Sequence, residues 1–329
     1  MPISGHSGQS LPPATILSDV EAKSFDRIAR DLTSSVDSIN SREWLTNAAD
    51  AWHDTPAAPR KRLSRFRRDS GREGVFLIRS LPVDEETLPD TPSESGSAPV
   101  ASTVPAALIT LFASGLGNPM AFAAEKSGAL VHDVVPVRGN EQFQGNEGSV
   151  VLSFHNENAF HPFRPDYVLL LCLRADHDRV AGLRTSSVRT VLPHLSTQCR
   201  ETLSRTEFAT AAPPSFGGAG HDGGEPHAVL AGAPDDPDVC VDFAATRPLS
   251  EAAAEALRQL QEELVRHSST VRLVPGDLAV VDNRIALHGR TSFTPRYDGR
   301  DRWLQRGFAL RDLRRSRELR PADGHILLG

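Results

Sequence analysis

The stretch that decides the fold is Ser149-Val150-Val151-Leu152-Ser153-Phe154-His155-Asn156-Glu157-Asn158-Ala159-Phe160-His161-Pro162-Phe163. It opens as an apolar, β-prone run and ends on polar side chains. In an extended chain alternate residues project from one face, so His155 and Glu157 point the same way, roughly 6.6 Å apart along the strand. An imidazole and a carboxylate on one face can share a metal ion. So short a motif is weak alone, and a strand-end histidine beside a surface acid is the commoner meaning.

Working outward, the chain after Gly128 is a succession of short β-type runs. They lie near 129–137, 149–155, 166–173, 182–190, 206–211, 226–230, 238–243, 270–274, 278–282 and 302–311, broken by Gly, Pro and Asp signals. Close spacing of that kind predicts a sandwich or jelly roll. One amphipathic helix interrupts it at Ser250–His267, with Leu257, Leu260 and Leu264 on its buried side. Upstream, the apolar spacing predicts helices over Leu17–Leu32 (capped by Ser18 or Asp19), Ser41–His53, Pro59–Arg68 and Val104–Leu116, with a first strand at Val75–Ile78. Pro82–Ser102 reads as an exposed loop. The expected class is mainly β with flanking helices: a loose tail over 1–13, then one domain over 14–329. Its helical N-terminal region spans 14–116 and its jelly-roll core about 129–312.

Composition narrows the function. The 329 residues are 39% hydrophobic and 24% charged, with a formal charge of −6. That balance gives no footprint for nucleic acid, and the basic cluster around Arg60–Arg68 reads as a solvated helix face. Three scattered cysteines, Cys172, Cys199 and Cys240, argue against a disulfide framework and for a reducing compartment. The N-terminus lacks the basic and apolar regions of a secretory signal, and the longest mostly apolar run, Val104–Leu116, is too short to span a bilayer. The expectation is a cytoplasmic protein with no membrane and no nucleic-acid partner.

A second segment supplies what the first lacks. Gly276-Asp277-Leu278-Ala279-Val280-Val281-Asp282-Asn283-Arg284-Ile285-Ala286-Leu287-His288-Gly289-Arg290 carries His288, a candidate third ligand. Two histidines and one carboxylate with open positions form the face associated with non-heme Fe(II) oxygenases. Competing metal chemistries fail on spacing. No Pro-Cys-x-x-Cys follows His155-x-Glu157, which removes a zinc deaminase, and no His-Glu-x-x-His exists for a zincin. His132 and His161 do not improve on His288. Further on, Arg302 and Arg306 stand four apart on an expected strand, hence on one face. Two surface arginines are the bland reading; the functional one is a guanidinium fork that clamps a carboxylate bidentately.

These segments resemble the Fe(II)/2-oxoglutarate-dependent oxygenases, and within them the clavaminate synthase-like branch that hydroxylates the β-carbon of free amino acids. Glu125-Lys126-Ser127-Gly128-Ala129-Leu130, Glu141–Asn146, Phe154–Phe160 and Asp298–Arg306 carry the likeness, which covers about Trp52 to Gly324. It implies a double-stranded β-helix (cupin-like) core with Fe(II) held by His155, Glu157 and His288. It also implies 2-oxoglutarate as cosubstrate with O2, its distal carboxylate on Arg302 helped by Thr185. Arg306 would hold the substrate α-carboxylate, Glu125 its α-ammonium, and Asn146 and Asp242 a side-chain amide. The implied activity is Cβ hydroxylation of L-asparagine, giving 3-hydroxyasparagine as a building block for nonribosomal peptides. Arginine, lysine, citrulline or a carrier-bound residue as substrate stays open, as does a metal-free binding protein in which the same residues are structural.

Overall fold

The computed structural model describes residues 12–94, 96, 102–217 and 224–328. Its architecture is mixed α/β, with several sheets. In the larger sheet the strand order runs Ala14–Ile16, Val75–Arg79, Leu278–Asp282, Tyr167–Arg174, Trp303–Leu310, Asn118–Phe122, Ile326–Leu327, and Val131–Val134 also pairs with Trp303–Leu310. A four-stranded antiparallel sheet has the order Ser269–Val271, Leu183–Ser187, Ala286–Arg290, Leu152–His155.

Period-two alternation explains how the layers assemble. In Tyr167–Arg174, the residues Tyr167, Leu169, Leu171 and Leu173 face the helices, packing with Phe25, Trp44 and Phe112. Val168, Leu170 and Cys172 face the other way, into a core shared with Leu183, Val271 and Ala286 of the smaller sheet. Leu278–Asp282 divides likewise, Leu278 and Val280 to the helices, Ala279 and Val281 between the sheets. Strands covered on both faces read as unbroken apolar runs. A third core lies on the outer face of the smaller sheet, where Phe154 and Leu287 meet Ala253, Ala256, Leu260 and Leu264 of the helix Glu251–Arg266.

The expected helices form at Asp19–Ser35, Arg42–Trp52, Ala57–Arg68, Val104–Leu116 and Glu251–Arg266. Ser18, Ser41, Thr103 and Ser250 accept backbone N–H bonds as N-caps. Three expectations change. Most of the tail over 1–13 lies outside the described residues, but Pro12 is buried and the Pro13 carbonyl accepts from Leu77 N at 2.9 Å, so the packed chain starts earlier. The loop expected over Pro82–Ser102 is not simply exposed: Thr91 is buried and its Oγ1 donates to the Asp301 carbonyl at 2.7 Å. Leu257 is only partly buried, with Ala253 and Ala256 taking the inner positions. Strands at Ala14–Ile16, Asn118–Phe122, Thr246–Pro248, Ala286–Arg290 and Ile326–Leu327 had no counterpart in the sequence reading. Among the described residues no helix is long and apolar enough to cross a membrane.

Candidate active site

The strand carrying His155 ends there; Glu157 is delivered from the turn that follows, not from the strand itself. Its direction is set by two asparagines. Asn156 Nδ2 donates to the Asn283 and Ala286 carbonyls at 3.0 and 3.2 Å, while Asn156 Oδ1 accepts from Val241 N at 3.0 Å. Asn283 returns the grip: its Oδ1 accepts from Glu157 N at 2.8 Å, and its Nδ2 donates to the Glu157 and Pro165 carbonyls at 3.0 and 2.9 Å. The Asn283 amide therefore spends both donors and an acceptor on this turn. Asn156 points into the protein, and Glu157 to the face that His155 occupies.

His288 arrives on the adjacent strand, where it sits directly across from His155 on one side and Thr185 on the other. Leu287 faces the outer core and Ala286 the space between the sheets, so alternation aims His288 and Arg290 inward. His155, Glu157 and His288 each present one ligand atom within 4.8 Å of the others. The two rings lie 4.3 Å apart between centroids. His155 Nδ1 donates to the Ser153 carbonyl at 2.9 Å, which fixes the tautomer and leaves Nε2 as the free ligand nitrogen. Glu157 Oε2 and His288 Nε2 are 3.6 Å apart, too far for a hydrogen bond, and Oε2 is buried without a hydrogen-bond partner among the described residues. An orphaned carboxylate oxygen facing two imidazoles is the donor set a divalent transition metal requires, so these residues fit Fe(II).

Electrostatics keep the set ready for a cation. Burial alone would raise the Glu157 carboxyl, but the Arg306 guanidinium and nearby His288 outweigh it and hold Glu157 well below the usual carboxylate range. Burial, then the neighbouring His155, pushes His288 down, towards the neutral imidazole that ligation needs. Arg306 is the hub. Its Nη1 donates to Glu157 Oε1 at 2.7 Å, and its Nη2 contacts Glu125 Oε1 and His132 Nδ1, the latter at 2.9 Å. Its neighbours Leu304 and Phe308 face the space between the sheets, which places Arg306 on the same inner face. Glu125 stays ionised on the same account: burial opposes its charge, and Arg306 overrides it.

A cavity of about 630 Å³ opens beside this centre, lined by Asn146, His155, Glu157, Asp242 and Arg306 among others. Asp242 bridges His155 in the ladder, and its Oδ1 accepts from Ala244 N at 2.8 Å. Glu125 is joined to the cavity through Arg306 and by Asn158 Nδ2 at 3.4 Å. Arg302 lies one residue before the strand Trp303–Leu310 rather than inside it. It is buried over the Phe293 ring, where Arg290 also sits, at 5.8 and 5.3 Å from the centroid. Among the described residues no carboxylate pairs with Arg302, and burial pushes its guanidinium down. Thr185 is buried with its Oγ1 3.0 Å from Ser269 Oγ.

Sequence reasoning missed Asn156, Asn283, His132 and Arg290. Asn156 and Asn283 lie inside segments already singled out, but nothing local reveals that they bond across 127 positions. His132 was visible only as a nearby imidazole without a job.

The arrangement brings two histidines and one carboxylate together beside a charged cavity. The chain belongs to the family described as taurine catabolism dioxygenase TauD, TfdA family, which matches residues 51–308. It is 57% identical to the L-asparagine oxygenase of Streptomyces coelicolor, over 87% of this chain and 85% of the relative. It is 35% identical to clavaminate synthase 2 of Streptomyces clavuligerus, over 76% and 78%. The crystal structure of asparagine oxygenase with Fe(II), 2S,3S-3-hydroxyasparagine and succinate superposes with a TM-score of 0.93 at 52% identity, covering 96% of this chain and 99% of that one. The non-heme iron oxygenase OrfP with Fe and alpha-ketoglutaric acid gives 0.87 at 29%, covering 96% and 100%.

Proposed function

We propose that this protein hydroxylates the β-carbon of free L-asparagine, giving 3-hydroxyasparagine, with Fe(II) and 2-oxoglutarate. In this reading residues 14–329 act as one oxygenase domain, and the two facing sheets are the double-stranded β-helix core. The observation that carries the reading is the junction of the orphaned ligand set with a cavity of about 630 Å³ whose wall holds Asn146, Asp242 and Arg306. The 57% identity to an L-asparagine oxygenase supports the choice of amino acid.

His155, Glu157 and His288 would hold Fe(II), which with 2-oxoglutarate and O2 supplies the oxidising chemistry at the C–H bond. The chain's own residues decide which bond that is. Arg302 anchors the distal carboxylate of 2-oxoglutarate, with Thr185 beside it, so the cosubstrate enters in one orientation. Arg306 keeps an Nε–H without a partner among the described residues, and that donor takes the substrate α-carboxylate. Glu125 faces the α-ammonium. Asn146 and Asp242 hold the amide, and the three clamps together fix the distance from Cβ to the metal. A 3-hydroxylated amino acid of this kind suits use as a peptide building block, made in the cytoplasm where 2-oxoglutarate is available.

The test is succinate formation across the common amino acids, with Fe(II) and 2-oxoglutarate present and with EDTA as control. Asparagine should drive succinate release, with mass increase of one oxygen in the amino acid. Turnover that survives EDTA, or that follows arginine or lysine instead, defeats the reading.

A further inference from the structure

A second cluster of ligating side chains lies on the layer that covers the outer face of the four-stranded sheet. His194 ends the short turn Leu192–His194; Glu263 and His267 sit one helical turn apart at the end of Glu251–Arg266. Residues four apart share a helix face, so Glu263 and His267 present together. The turn is stiffened by Pro193. It is held against the helix by Leu192, Leu195, Leu260 and Leu264, all buried in one core. Nothing about the spacing in sequence announces this meeting, since 69 positions separate His194 from Glu263.

Three candidate donor side chains meet there. The His194 and His267 rings stack at 4.2 Å between centroids with 19° between planes. Glu263 Oε2 is 3.4 Å from His267 Nδ1, and the three ligand atoms lie within 4.8 Å of one another. Arg266 engages Glu263 Oε1, which leaves Oε2 buried and without a hydrogen-bond partner among the described residues. His267 Nδ1 also lies 3.0 Å from the Glu263 carbonyl and donates there, so Nε2 is the nitrogen a metal would take and the 3.4 Å contact of Nδ1 with Oε2 is not a ligand-to-ligand separation. The orphaned carboxylate oxygen is what calls for a cation, and the two imidazoles beside it can join as donors once one ring turns out of the stack. Zinc bonds of about 2.0–2.2 Å to nitrogen and oxygen put neighbouring ligands roughly 3.3 Å apart, so binding would draw the three atoms together and reorient a ring.

We propose that His194, Glu263 and His267 form a second divalent-metal site, of the two-histidine, one-carboxylate type that suits Zn²⁺, which clips the Leu192–His194 turn to the helix Glu251–Arg266. The clip braces a layer whose core includes Phe154 and Leu287, the neighbours of His155 and His288. Its role is structural, because backbone elements rather than a cavity converge there.

The experiment is Zn²⁺ equilibrium dialysis on tag-free protein. Parent protein should bind two equivalents. The His155→Ala/His288→Ala variant should keep one, and Zn²⁺ should still raise its Tm by mass action. His194→Ala/His267→Ala in the parent should bind one, and Glu263→Gln should weaken the second equivalent at least tenfold. X-ray absorption on the zinc-loaded His155→Ala/His288→Ala variant should report two imidazoles among nitrogen and oxygen ligands. A His155→Ala/His288→Ala variant that binds no Zn²⁺ overturns the proposal, as does a second equivalent that survives His194→Ala/His267→Ala. Glu263→Gln, which keeps the side chain's size, tests the same site should a double variant fail to fold.

Discussion

Arg302 and Arg306 lie four residues apart and both are buried, yet they live in opposite electrostatic worlds. Arg306 is surrounded by protein-supplied charge: Glu157, Glu125 and the His132 ring all contact it. Burial opposes its charge, but the two carboxylates more than compensate and raise its pKa. Arg302 has an aromatic face and another arginine, Arg290, instead of a carboxylate. Arg290 is pushed down to about 9, by burial first and by Arg302 second. The difference teaches what each arginine is for. A buried cation already neutralised by the fold organises its neighbours, whereas one left without an anion is free to take one from outside, as the proposed cosubstrate role of Arg302 requires.

The largest effect should come from breaking the organised side. Arg306→Met removes the charge and keeps much of the bulk, leaving Glu157 and Glu125 buried against each other. Breaking a buried pair costs about 3–5 kcal/mol. Urea unfolding should show a loss of that order, and turnover should disappear. A variant with parental stability would mean that the two carboxylates are not held by Arg306.

Arg302→Met should behave differently in kind. The cosubstrate loses charge-assisted bonds worth about 1.5–3 kcal/mol, so KM for 2-oxoglutarate should rise roughly ten- to a hundredfold. Without cosubstrate the variant should be as stable as the parent or more so, because no ion pair has been broken. Added succinate should raise the Tm of the parent and not of the variant. If Arg302→Met destabilises the free protein as Arg306→Met does, the contrast between the two arginines collapses.

Asp242→Asn sharpens the cavity side. Free aspartate would set a second carboxylate against Asp242, and like charges in a desolvated site repel. The ratio of kcat/KM for asparagine over aspartate should therefore fall at least tenfold, a shift of about 1.4 kcal/mol. An unchanged ratio would remove Asp242 from substrate recognition.

The smallest effect uses a buried base that, unlike arginine, can discard its charge. His325 is pushed down to about 4 by burial and then by Arg42. A folded pKa below the unfolded one means that the unfolded chain takes up the proton first as pH falls. Stability is then retained above the unfolded histidine pKa and lost as pH drops below it towards 4. Between pH 7 and 5.5 the loss attributable to this residue should be about 1 kcal/mol, and His325→Gln should flatten that part of the profile. Equal slopes in both proteins would show that His325 does not titrate as its burial implies.

Much of the fold was legible. Val104–Leu116 forms as read, Ser18 caps its helix as its sequence context suggests, and Leu278–Asp282 is the strand that its apolar run predicts. The strand that bears His288 was not read as a strand, because Ala286-Leu287-His288-Gly289-Arg290 has one large apolar residue and a glycine. What makes it a strand is its neighbours, Leu183–Ser187 and Leu152–His155, which pair with it on both sides. Gly289 shows the same cause: a Cβ there would lie 2.5 Å from the Leu152 carbonyl oxygen. Side-chain bulk was excluded by a strand 137 residues away, which no local pattern reports.

By itself the sequence determined the residue types, the alternation and the helix signals. Those are local quantities, set by dihedral preference and by which residues leave water. His155, Glu157, His288 and the two arginines were therefore visible as candidates in two widely separated segments. Only the tertiary structure decided their charge states and partners. Arg306 meets Glu125 and Glu157 across more than a hundred residues, while Arg302 meets no carboxylate among the described residues. Desolvation and Coulomb energy depend on distance in space, and a chain position carries no information about either until the sheets have closed.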